Sequence, residues 1–158
     1  MASSVVRYAA AMITTDSLRR QHDAALAMSS RLCDLIDSYR RNRDAEAITL
    51  QLSRLVRLLR IHLAQEDVQH YAALATSDDP AVARIAFSYA NDMGGLAVDL
   101  ETFARHWSCS ASIAGSFDEF RDDAHALLLA LAVRIEREDR FLYSLAEQMA
   151  AGEQRNAA

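Results

Sequence analysis

The chain has 158 residues, 51% of them hydrophobic, with only 4 glycines and 1 proline, so it suits one domain and lacks the turn chemistry of a many-stranded sandwich or barrel. Its net charge is -5, and all 17 basic side chains are arginines, interspersed with acids rather than gathered into the basic stripe that a phosphate backbone requires. Nucleic-acid binding is not expected, and with alanine, the best helix former, supplying 30 residues, the composition points to an all-α fold.

The first segment, residues 1–15, contains an apolar run from Val5 to Ile13 that is interrupted by Arg7. It is too short for a bilayer and is not ordered like a signal peptide, so no membrane association and a cytoplasmic location are expected. A first helix is predicted from about Asp16 to Arg41, with Leu18, His22, Ala25, Leu32, Ile36 and Tyr39 on one stripe. A second runs from Asp44 to about Ala75 and carries Leu52, Leu55, Leu59, His62, Glu66 and Ala73 at helical spacing.

Asp79 followed by Pro80 has the form of an N-cap and first helical residue, which opens a third helix reaching about Trp107. Its inner face is expected to be Ile85, Tyr89, Met93, Leu96, Leu100, Phe103 and Trp107, with Gly94 and Gly95 costing about 1 kcal/mol each unless close packing or a bound group compensates. Residues 108–115 read as a loop. Ser116 with Glu119 then has the spacing of a capping box, opening a fourth helix that stops near Gly152. Four such helices joined by short connections imply an antiparallel up-down-up-down bundle over residues 16–152, with 153–158 as a tail.

In a bundle the informative residues are the polar ones on the core stripe, because burying one without a partner costs about 1–3 kcal/mol. His22 is one. His62 with Glu66, and Arg134 with Glu138, are pairs four residues apart, which puts each pair on one helix face where both can converge at the bundle centre. His70, four residues beyond Glu66, and Tyr89 and Met93 on the third helix are further candidates for a pocket. Cys33 and Cys109 form no CxxC pair and read as reduced, mostly buried thiols. The run from Glu136 to Arg140 reads as a solvated face with Glu138 turned inward. No nucleophile constellation or phosphate loop is visible, so enzymatic activity ranks below a binding role.

The segments LRRQHDAAL, LLRIHLAQEDVQHYAAL and LAVRIEREDRFLYSLAEQ resemble the hemerythrin-like, or HHE cation-binding, domain family in order and separation. The resemblance spans about Leu18 to Gln148. It implies a four-helix bundle with His22, His62, Glu66 and Glu138 at metal-ligand positions. Typical members hold two irons and bind dioxygen; here Asp92 and Met93 stand where a Glu–His pair is usual on the third helix, and Arg134 replaces the fourth-helix histidine.

Two histidines and two carboxylates suit a single iron, zinc or manganese ion rather than a full di-iron centre. The implied role is a binding or sensory protein linked to oxygen, iron or redox signalling. The alternative is a metal-free adaptor in which the Arg134 guanidinium supplies the missing positive charge between Glu66 and Glu138. The stretch from Leu127 to Ile135, apolar nearly all round, is the expected face for a homodimer or a protein partner.

Overall fold

The computed structural model describes residues 4–65, 80–145 and 147–148. Among them every long element is helical and there is no strand. Helix α1 spans Ser4–Asp37, α2 Asp44–Gln65, α3 Pro80–His106, α4 Ser110–Gly115 and α5 Phe117–Arg137, and a π-helical turn, Glu138–Leu142, follows α5 directly. Helix α1 thus starts well before Asp16, and residues 4–15 continue it.

The chain reverses between α1 and α2 through a short polar turn. Asp44 Oδ2 accepts the backbone N–H groups of Arg40 and Arg41 at 2.9 and 3.1 Å, which holds the Asp44 carboxyl below its ordinary pKa. Arg40 closes the other side by donating to the carbonyls of Asp37 and Tyr39, the usual service of a basic side chain at a helix C-terminus.

The long helices pack in a ring, α1 on α2, α2 on α3, α3 on α5 and α5 on α1. Cross-helix contacts show neighbours running in opposite directions: Gln51 donates to the Met28 carbonyl at 2.9 Å and Gln21 to Gln65 at 2.8 Å. On α3 and α5, Trp107 Nε1 donates to Asp123 while Arg137 sits over the Tyr89 ring. A two-pronged Arg60–Glu101 pair at 2.7 and 2.8 Å ties α2 to α3 at the surface.

Two apolar clusters fill the ring. The larger takes Leu32, Leu52, Leu55, Leu59, Leu100, Phe103, Trp107, Phe120 and Leu131, and the smaller Leu18, Val82, Ala86, Leu142 and Tyr143. Along the chain the boundary falls at one level: Leu18, His22, Ala25 on α1; Leu59, His62 on α2; Leu131, Arg134, Glu138, Leu142 at the end of α5. A polar layer is therefore sandwiched between apolar ones, in the low-dielectric interior where electrostatic contacts are strongest.

Several expectations need correction. Residues 110–115 are helical, because Ile113 is fully buried and anchors α4 in the core. The Ser116 hydroxyl makes no cap, since Ser116 also ends α4 and its backbone is shaped by that turn. On α3, Val82 and Ala86 face inward while Ile85 is exposed. Cys109 is exposed rather than buried, and a Cβ added at Gly95 would meet nothing within 4 Å, so no close helix approach explains that glycine. Asp79, Ala73 and Gly152 lie outside the described residues.

Candidate metal centre

His22 from α1, His62 from α2, Arg134 from the end of α5 and Glu138 from the start of the π-turn all reach the polar layer, and all four are buried. The Nε2 atoms of His22 and His62 face each other at 3.1 Å, and Glu138 Oε2 lies 3.2 Å from His22 Nε2. One ligand atom from each of His22, His62 and Glu138 lies within 4.8 Å of the other two. The other oxygen of Glu138 is taken up by Arg134, whose Nε donates to Oε1 at 2.7 Å. The carboxylate is divided: one oxygen for the arginine, one for the histidines.

The outer nitrogens of the two rings settle their tautomers. His22 Nδ1 lies 2.9 Å from Asp139 Oδ1, and His62 Nδ1 lies 2.9 Å from Gln21 Oε1. A carboxylate can only accept, so Nδ1 of His22 donates. Gln21 already donates through Nε2 to Gln65, so its oxygen accepts from His62. In neutral rings both Nε2 atoms then carry lone pairs, and these point at each other and at a carboxylate oxygen. Three electron-pair donors converging in the interior are an arrangement that a cation stabilises. Burial lowers the His22 pKa, but hydrogen bonding and attraction to Glu138 and Asp139 outweigh it and hold His22 above its ordinary 6.5, so it keeps a proton more readily than a free imidazole does. The two separations at His22 Nε2, 3.1 and 3.2 Å, also suit a metal, since ligand atoms about 2.0–2.1 Å from one ion lie about 3.0–3.4 Å apart.

Tyr143 completes the wall. Its ring stacks on His22 with centroids 5.4 Å apart and planes 14° apart, and its hydroxyl is 3.4 Å from His22 Nε2.

Of the residues singled out from the sequence, His22, His62, Glu138 and Arg134 are brought together. Glu66 and His70 lie outside the described residues, as does the side chain of Met93. Tyr89 packs with the smaller apolar cluster, under Arg137. Asp139, Gln21 and Tyr143 belong to the centre but were not anticipated. Asp139 sits in a charge run that otherwise behaves as a solvated face, with Glu136 and Arg140 paired in the open at 3.5 Å.

The model of the hemerythrin HHE cation-binding domain matches residues 14–146. The chain belongs to this family. No curated protein and no solved structure matches it. For a hemerythrin-like domain the donor set is pared down: two imidazoles and one carboxylate among the described residues, with an arginine where the family places a fourth-helix histidine. The residues present nevertheless fit a cation, because both histidines are locked as Nε2 donors and the carboxylate oxygen between them and Arg134 is aimed at the same point.

Proposed function

We propose that this hemerythrin-like domain holds one divalent transition-metal ion, iron, zinc or manganese, through His22, His62 and Glu138, and acts as a binding or sensory protein. The observation that carries the reading is the convergence of the two Nε2 atoms and Glu138 Oε2. Two imidazoles and a carboxylate form a ligand set that suits such ions and leaves further positions open.

The chain's own groups set what the site can do. Asp139 and Gln21 keep the imidazoles oriented, Arg134 neutralises Glu138, and the apolar layers around Leu18 and Leu59 exclude water. When bound, the metal supplies a Lewis-acidic and, for iron or manganese, redox-active centre. Because Arg134 already offsets the Glu138 charge, a second divalent ion would find no compensating anion among these groups, which favours one ion over two.

The link to oxygen, iron or redox signalling rests on the family resemblance, and a cytoplasmic setting is part of the same proposal. No described helix is long and apolar enough to cross a membrane. The deciding experiment is elemental analysis of full-length protein purified without chelators, alongside His22→Ala and Glu138→Gln. About one ion per chain, lost in both variants, is expected. Metal content unchanged by either substitution would defeat the reading.

A further inference from the structure

Three side chains from one stretch of chain touch the same imidazole. Glu138 lies at Nε2, Asp139 at Nδ1, and Tyr143 on the ring face. In an α-helix adjacent residues point about 100° apart, and Glu138 and Asp139 would diverge. Here the helix widens into a π-turn over Glu138–Leu142, and the Tyr143 N–H bonds to the Glu138 carbonyl five residues back. A turn of this kind accommodates one extra residue and is common at functional sites. It lets the two acids straddle the His22 ring.

Asp139 is itself held. Arg19 donates to its carboxylate at 3.4 Å and to its backbone carbonyl at 3.3 Å, reaches Glu147 at 3.0 Å, and lies over the Tyr143 ring at 5.2 Å. The Ser144 hydroxyl also bonds the Asp139 carbonyl. At His62 it is the neutral amide of Gln21 that meets Nδ1. A carboxylate at Nδ1, as on His22, pushes electron density toward Nε2 and fixes the ring more firmly than an amide does.

We propose that Asp139, clamped by Arg19, is the positioning residue of the centre: it fixes His22 with Nδ1–H toward itself and Nε2 toward the cation, so that metal affinity is set by a partly exposed ion pair outside the ligand set. The proposal rests on the cation-binding reading above.

The test uses the full chain, stripped of metal and titrated with Co(II), whose visible bands report ligand number and geometry. Asp139→Ala is expected to bind Co(II) about 10–100-fold more weakly, with altered bands. Asp139→Asn retains an acceptor without the charge and falls between. Arg19→Ala moves in the same direction as Asp139→Asn, and His22→Ala abolishes binding. Nitrogen NMR of the histidine rings in alkaline, metal-free buffer gives a second readout. His22 is expected as the Nδ1–H tautomer in the parent and in Asp139→Asn, and as a mixture in Asp139→Ala.

Co(II) affinity of Asp139→Ala within about twofold of the parent overturns the proposal. So does a loss of affinity with unchanged His22 ring signals, which is what general loosening would give. A parent chain that takes up no Co(II) defeats the cation reading alone, and the ring signals then decide the positioning role.

Discussion

His22 and His62 meet Nε2 to Nε2 at 3.1 Å, each with its Nδ1 already committed to an acceptor on the far side. Neither ring can turn to offer the other a proton without breaking its outer hydrogen bond, so a positive charge between them stabilises the pair. A proton supplies such a charge, and the raised pKa of His22 favours it there.

Binding of an ion to the folded chain alone must raise its stability. At a free Zn(II) concentration 100 times the dissociation constant the gain is about 2.7 kcal/mol. A melting temperature that rises with Zn(II), returns on adding chelator and does not respond in His62→Ala is expected. Equal Zn(II) responses in parent and His62→Ala would place the ion elsewhere.

Arg134 and His22 face different oxygens of Glu138. Arg134→Met is expected to be costly, at up to about 3–5 kcal/mol, since it removes one partner of a buried pair and leaves Glu138 only the His22 side for compensation. Adding Glu138→Gln should recover part of that loss by removing the stranded charge, a coupling that a double-mutant cycle in denaturant measures. Zn(II) should also partly restore Arg134→Met, as the ion faces the same carboxylate. An Arg134→Met variant as stable as the parent would show that Glu138 is balanced without the arginine.

The bundle was legible because its signals are repetitive. Leu18, Ala25, Leu32 and Ile36, or Leu52, Leu55 and Leu59, each repeat an apolar choice at helical spacing, and all are buried. The ligands were legible for the opposite reason: His22, His62, Arg134 and Glu138 interrupt those stripes with groups that interior burial penalises.

Asp139 was not legible, because a regular helical period turns it away from the stripe and only the π-turn brings it back. Ile85 failed similarly. The stripe through Leu100 and Phe103, extended backward, passes between neighbouring positions, and packing against Leu18 and Tyr143 selects Val82 and Ala86. The serine-rich segment around Ile113 reads as a loop by composition, yet one buried isoleucine holds it as a helix.

Gly95 lies inside α3, on its exposed side, and an added Cβ would meet nothing within 4 Å. A helix-interior glycine costs backbone entropy that alanine does not. Gly95→Ala is expected to stabilise the protein by about 0.5–1 kcal/mol, read as a higher denaturation midpoint at unchanged slope. A lower midpoint would reveal a need for flexibility at this point of α3.

The last prediction concerns pH. Burial opposes the charge on His22, but hydrogen bonds and attraction to Glu138 and Asp139 prevail and raise its pKa above 6.5. A group whose pKa is raised on folding binds its proton more tightly in the native state, so its contribution to stability is complete below the unfolded value of about 6.5 and disappears as pH climbs through the native one. In chelator, the melting temperature of the parent should therefore fall from neutral to alkaline pH, and His22→Gln should flatten that fall. With saturating Zn(II) the order reverses: the ion displaces the proton, its binding strengthens as protons become scarce, and the stabilisation it confers should grow over the same interval. Metal-free protein that becomes more stable between neutral and alkaline pH would contradict the protonated His22 on which this account depends.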